Sequence, residues 1–313
     1  MLDRIVGPIL PVAFVIALGF IAGKRGRLTQ SDSLLISRLV LGWIFPALLF
    51  VGMAGTPREQ LLDFKFVLAT FIGIMGMYTI ALVIGWWRHR DLKVATLKGF
   101  VNGYPDAAFM GIPILATMYG PGSIYSVLVL NLVASLVMIP LTTMLLTIAD
   151  GKGNGAQAFV SSLTGAVRRP LMWAPALGIV ISLLQVKLPP IAAESLTLLG
   201  KATPGVSLMC LGLIMSSEKL KMSGEVWTNL GLKLFIHPAL MFAATVVLGV
   251  YGLNAQQMIL LCALPSATIP AMFANQTGAY QSEAATSILV STVLSIVTFS
   301  AAIYLIDGGL AAA

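Results

Sequence analysis

Gly103-Tyr104-Pro105-Asp106-Ala107-Ala108-Phe109-Met110-Gly111-Ile112-Pro113 breaks one long apolar run with proline, and Ala263-Leu264-Pro265-Ser266-Ala267-Thr268-Ile269-Pro270 breaks another. Pro105 and Pro265 stand 160 positions apart in a chain of 313, so the two interruptions fall one half-chain apart. Proline has no N–H and its ring clashes with the preceding turn, so each break releases backbone groups in a segment long enough to span a bilayer. Lipid cannot satisfy such groups, which must face protein or a wet cavity.

The rest of the chain supports a membrane reading. Hydrophobic residues make up 58% and charged residues 10%, with mean hydropathy +0.94. A soluble domain carries roughly 25% charged residues. Apolar stretches fall at about 4–23, 34–54, 64–87, 95–118, 122–149, 169–187, 191–216, 229–252, 256–277 and 282–306, each of a length to cross the hydrocarbon core. The first is followed by Lys24, Arg25 and Arg27 rather than a cleavage site, which reads as a retained span. The segment 150–168 reads as a flexible cytoplasmic linker between a first repeat, 1–149, and a second, 169–313.

Basic residues set an expected orientation. With the N-terminus outside, the inward loops and span ends hold 14 of the 19 Lys and Arg, including Arg88, Lys98 and Lys233. Both termini are then outside. The +7 net charge is a topology signal here and implies no nucleic-acid partner. The halves also echo each other: 128–137 matches 288–297 at the 160-residue offset, and Pro46 stands 158 before Pro204. Five spans per repeat force the second repeat to be inverted. That arrangement, with interruptions at matching places, is the pattern of an alternating-access carrier with its site at the breaks.

The expected class is therefore an all-α integral membrane protein of ten transmembrane helices in two inverted five-helix repeats. Half-helices restarting near Asp106 and Ser266 offer unpaired N–H groups and positive dipole ends, which suit a small carboxylate. The candidate site is Asn102, Tyr104, Pro105, Asp106, Ala107, Asn131, Pro265, Ser266, Ala267, Thr268 and Ser291. Asp106 has two readings, the N-cap of its half-helix or the group that couples cargo to H⁺ or Na⁺. An ionised Asp106 beside an anion calls for a proton or a cation. Asn131, opposite its repeat partner Ser291, either glues helices or touches cargo. Lys201 either meets a carboxylate or snorkels to the interface, and His237 either titrates or packs with a hydrogen bond. Gly99 and Gly103 permit the close helix approach that a crossed pair needs.

No metal site or cofactor is expected. Cys210 and Cys262 read as reduced packing residues, and the chain lacks His-Glu-x-x-His and Gly-x-Ser-x-Gly signatures, which excludes the common intramembrane enzymes.

At Pro105–Pro113, with Phe109-Met110-Gly111-Ile112-Pro113, at Leu264-Pro265-Ser266-Ala267 and at Ser291-Thr292-Val293-Leu294-Ser295-Ile296-Val297-Thr298, the chain resembles the auxin efflux carrier family. The resemblance implies that the fourth and ninth spans cross at proline and that transport is elevator-type. It implies a scaffold of spans one, two, six and seven, often dimeric, and a mobile unit of spans three to five and eight to ten. The absence of a long central hydrophilic loop looks like a compact carrier of a bacterial inner membrane, closest to malonate transporters. The family often has asparagine where Asp106 stands. The expected function is secondary transport of a small organic anion, a dicarboxylate such as malonate, with a monocarboxylate or indole acid as the alternative cargo. An anion channel or a membrane solute sensor is the alternative of another class.

Overall fold

The computed structural model describes residues 2–57, 63–120, 123–151, 154–168, 170–217 and 220–306. Arg58, Lys152, Arg169 and Lys219, which enter the orientation argument, lie outside the described residues. The helices in chain order are α1 (Leu2–Lys24), α2 (Gln30–Leu39), α3 (Phe45–Ala54), α4 (Phe64–His89), α5 (Leu92–Gly103), α6 (Ile112–Tyr119), α7 (Ile124–Val133), α8 (Ile139–Ala149) and α9 (Gly155–Val167). There follow α10 (Pro170–Leu183), α11 (Pro190–Gly200), α12 (Thr203–Ser217), α13 (Gly224–Gly231), α14 (His237–Leu248), α15 (Gly252–Ala263), α16 (Ile269–Thr277) and α17 (Gln281–Leu305). No strand forms among the described residues.

Among the described residues, six helical stretches are long and apolar enough to cross a membrane: Gln30–Ala54, Phe64–His89, Ile124–Ala149, Pro190–Ser217, Gly224–Leu248 and Gln281–Leu305. They coincide with six of the ten expected spans. Two others, 95–118 and 256–277, are the interrupted ones, and each is present as two short helical pieces.

Six prolines of the chain act in two contrasting ways. Pro46, Pro113, Pro140 and Pro238 each occupy the second residue of a helix that follows a five-residue π-helical turn, at Val40–Ile44, Ala107–Gly111, Ala134–Met138 and Leu232–Ile236. The residue before the proline donates five residues back: Phe45 to Val40, Ile139 to Ala134, His237 to Leu232. The widened turn absorbs the missing donor and relieves the ring clash, so the helix buckles and continues. Pro105 and Pro265 have no such turn before them. Tyr104 (φ −108, ψ 99) and Leu264 (φ −65, ψ 157) are extended, as the residue before a proline prefers, and there the helix stops.

The segment 150–168 departs from its reading as a flexible tether. Gly155–Val167 is helical, started by Asn154, whose Oδ1 accepts from the Ala156 N–H at 3.0 Å. Ala156, Gln157, Ala158 and Phe159 follow that cap as helix-compatible residues, and the glycines stand only at its first residue and near its end.

The chain divides into two compact units, each drawn from both halves: 1–63, 108–128 and 166–217 form one, and 64–107, 129–165 and 218–313 the other. In the first, α1 packs on α12 and α10 on α3, through glycine. A Cβ at Gly19 would lie 2.0 Å from the Met209 carbonyl oxygen, one at Gly212 1.9 Å from that of Ile16, and one at Gly178 2.5 Å from that of Phe50. Backbones in such contact gain dispersion along their whole length, which drives helix association where lipid offers no hydrophobic gain. In the second unit α4 packs on α5 and α14, and α14 on α15. Gly99 and Gly103 serve the α4–α5 contact: their Cβ positions fall 2.9 Å from the Tyr78 carbonyl oxygen and 2.8 Å from Tyr78 Cβ. Their small size is used against α4, and the expectation that the other broken helix needs it is corrected.

Gly212→Ala should destabilise the purified protein by about 2 kcal/mol or more, since no rotamer relieves a clash with backbone. Gly165→Ala in α9, where a Cβ meets nothing within 4 Å, should be neutral or stabilising by up to about 1 kcal/mol. Thermal unfolding in detergent compares the two.

Candidate functional site

The first broken helix, α5, begins at Asp91, whose Oδ1 caps the N–H groups of Lys93 (2.7 Å) and Val94 (3.2 Å). It ends where the Tyr104 N–H makes the last helical bond, to the Phe100 carbonyl at 3.2 Å. The Phe100 ring stacks on Tyr104, with centroids 5.7 Å apart, and meets Phe273 edge-on at 5.3 Å, which fixes the approach to the break.

The two breaks are paired with each other. Pro105 and Ser266 form an isolated antiparallel bridge. The Asp106 N–H donates to the Pro265 carbonyl, and the Ala267 N–H to the Tyr104 carbonyl, both at 2.9 Å. The Ala107 N–H turns back to the Pro105 carbonyl at 2.8 Å, and the Ser266 N–H reaches the Ser291 Oγ at 3.3 Å. Each interruption thus satisfies groups that the other releases, as a buried backbone requires. The expectation of unpaired N–H groups at Asp106 and Ser266 is corrected: both are engaged. The Ser266 hydroxyl remains. It is 1% exposed, its Oγ has no hydrogen-bond partner, and α16 presents its N-terminal end three residues on.

All eleven predicted site residues belong to the second compact unit, and all are buried. Tyr104, Pro105, Asp106, Ala107, Pro265, Ser266, Ala267 and Ser291 are brought together by the bonds above. Asn131 joins them through its Oδ1, which accepts from the Tyr104 hydroxyl at 3.3 Å. Thr268 supplies the carbonyl that accepts from the Ala271 N–H in the first turn of α16. Asn102 points elsewhere: its Nδ2 donates to the Lys98 carbonyl (2.9 Å) and to Asn229 Oδ1 (3.0 Å). Lys201 caps the end of α11 and is exposed, which agrees with the interfacial reading.

Asn102 is one rung of a ladder missed in the sequence. Lys98 pairs with Glu225 and Asn102 with Asn229, both across 127 positions, so α5 and α13 run side by side in the same direction. Lys98 is fully buried. Glu225 Oε1 also accepts from the Tyr280 hydroxyl (3.0 Å), while its Oε2 faces Arg88 Nε (3.5 Å) and His89 Nε2 (3.4 Å) at a partly exposed rim. Asn229 Nδ2 donates to the Tyr280 hydroxyl and to Ser287 Oγ, each at 2.9 Å. One turn beyond Asn229, Lys233 is 1% exposed, within hydrogen-bonding distance of His237 Nδ1 (2.9 Å) and donating to the Cys262 carbonyl (3.1 Å). Lys98 and Lys233 are therefore interior residues, which removes two from the basic residues counted at the inward surface. The available signal was spacing: Lys98 and Asn102, and Glu225, Asn229, Lys233 and His237, each recur at four residues and share a helix face.

A family model for membrane transport proteins, Mem_trans, matches residues 4–303. The chain belongs to this family, that of the auxin efflux and bile acid carriers. It is 26% identical over 309 residues to "Uncharacterized transporter YfdV" of Escherichia coli (strain K12), covering 97% of this chain and 98% of that one. It is 24% identical over 311 residues to the "Putative malonate transporter" of Rhizobium meliloti (strain 1021), covering 98% and 97%. A shorter match, 26% over 137 residues, joins 42% of the chain to 23% of "Probable auxin efflux carrier component 3b" of Oryza sativa subsp. japonica. The protein is a multi-pass membrane transporter, not an enzyme.

Removing Glu225 leaves the buried Lys98 charge uncompensated, whereas Glu225 without Lys98 keeps Arg88 and His89. Glu225→Leu alone should cost about 3–5 kcal/mol, Lys98→Met less, and the double variant much less than their sum. Unfolding of the purified variants checks this.

Proposed function

We propose that the protein is a secondary active transporter of a small organic anion, a dicarboxylate such as malonate, held where the two proline breaks meet. The observation that carries this reading is the mutual pairing of two interruptions from opposite halves of the chain, with the buried, unpartnered Ser266 hydroxyl beside them. Half-helix ends at such a junction favour anionic groups, and hydroxyl and amide donors orient a carboxylate. Malonate is favoured over a monocarboxylate or an indole acid by the printed name of the Rhizobium relative, which matches over nearly its whole length, whereas the rice carrier matches over a quarter of its own.

Ten spans in two inverted repeats and elevator-type alternating access complete the reading. Support comes from reciprocal packing in the first unit, where the first expected span meets the seventh and the sixth meets the second. The partition supports it too, since one unit holds helices of spans one, two, six and seven and the other holds the site. The segment 108–128 groups with the first unit, so the scaffold boundary proposed here runs through the fourth and fifth spans. The scaffold is proposed to dimerise, and the protein to lie in a bacterial inner membrane with both termini outside. Asp106 is the proposed coupling residue, for H⁺ or Na⁺.

Proteoliposome uptake of labelled malonate, malate and indole acetate, with proton and Na⁺ gradients imposed separately, tests this. Saturable malonate accumulation driven by a gradient is expected. Flux linear in concentration would instead indicate a channel, and binding without flux a sensor. Asp106→Asn should alter the pH or ion dependence of uptake; an unchanged profile would remove the coupling role.

A further inference from the structure

The ladder between α5 and the α13–α14 stretch continues to the break. Its rungs are Lys98 with Glu225 and Asn102 with Asn229, and the same offset of 127 separates Asp106 from Lys233 in the sequence. Lys233 Nζ reaches the Cys262 carbonyl, three residues before Pro265, whose own carbonyl accepts from the Asp106 N–H. Lys233 sits in the π-helical turn Leu232–Ile236, beside Pro238, and Leu232, Lys233 and Leu234 are all buried in it.

The acceptor that Lys233 uses is informative. In a continuous helix the Cys262 carbonyl would receive the Ser266 N–H. Pro265 breaks that register, the Ser266 N–H goes to Ser291, and the Cys262 carbonyl receives Lys233 Nζ instead. Unwound carbonyls beside a broken helix are the groups with which carriers of this general build coordinate Na⁺. Here one of them is already bound to a cation that the chain itself supplies. The other neighbour of that ammonium is the His237 ring nitrogen Nδ1, at 2.9 Å.

We propose that Lys233 is the resident counter-cation of the site: its ammonium, fixed on the Cys262 carbonyl, does the electrostatic work of a coupling Na⁺ for Asp106 and for the cargo carboxylate. This rests on the carboxylate reading above and narrows it. An ionised Asp106 then need not repel the anion, and the carrier works without Na⁺.

Two measurements on the full-length protein test this. The first needs no cargo: the melting temperature of wild type is compared in sodium chloride and in choline chloride at equal ionic strength. No difference is expected, and stabilisation by Na⁺ would overturn the proposal. The second measures malonate affinity for wild type, Lys233→Met and Lys233→Arg, in Na⁺-free buffer, with folding followed by thermal unfolding. Wild type should bind without Na⁺, Lys233→Met should lose about 30-fold or more, and Lys233→Arg should keep part of the affinity. A folded Lys233→Met variant with wild-type affinity, or wild-type binding that requires Na⁺, would overturn it. If Lys233→Met does not fold, Lys233→Arg decides, since full affinity with Na⁺ now required would contradict a resident ammonium. Failure of wild type to bind any small carboxylate would sink the transport reading, and Lys233 would then be judged by the cargo-free comparison.

Discussion

Two hydrogen bonds between proline breaks hold the site of the second unit together: Asp106 N–H to the Pro265 carbonyl and Ala267 N–H to the Tyr104 carbonyl. Inside a membrane an unsatisfied peptide group costs several kcal/mol, so neither helix could end there alone. Each break is tolerable because the other supplies its partner. The pairing brings two extended dipeptides, two half-helix ends and the side chains of Asp106, Ser266 and Ser291 into one small region. The chemistry of the site follows from that backbone constraint.

A second constraint is charge. Buried lysines and carboxylates are rare unless paired, yet the second unit buries Lys98, Asp106, Glu225 and Lys233. They are not scattered. The ladder along α5 places Glu225 near the rim, where Arg88 and His89 reach it, and Lys233 at the break. Asn102, Asn229 and Tyr280 lie in the interval, hydrogen-bonded to one another and to Glu225. The ladder's charges reverse between the ends, with the lysine on α5 at one end and on the opposite element at the other.

Much of this was legible in the residues. Paired prolines at matching positions pointed to the junction, and nine of the eleven nominated residues are bonded or bridged there. What was hidden depends on partners that lie far away in sequence. Lys98 and Lys233 look like span-end charges when counted along the chain, because such counting assumes that a lysine in an apolar run reaches water. Only the fold reveals their partners, Glu225 for Lys98 and His237 with the Cys262 carbonyl for Lys233. Pro46, Pro140 and Pro238 also fall inside apolar runs, yet there the helices widen into π turns and continue, whereas Pro105 and Pro265 follow extended residues. Asn154 capping an ordinary helix likewise outweighed the Gly and Ser content of 150–168.

The central claim is that an anion is held at the junction of the two breaks. Solid-state NMR of the protein in lipid, with ¹³C-carboxylate malonate and ¹⁵N label at Ser266 and Thr268, measures this contact directly. The account predicts dipolar coupling at hydrogen-bonding distance between a malonate carboxylate and one of these residues. Bound malonate with no coupling to either would contradict it.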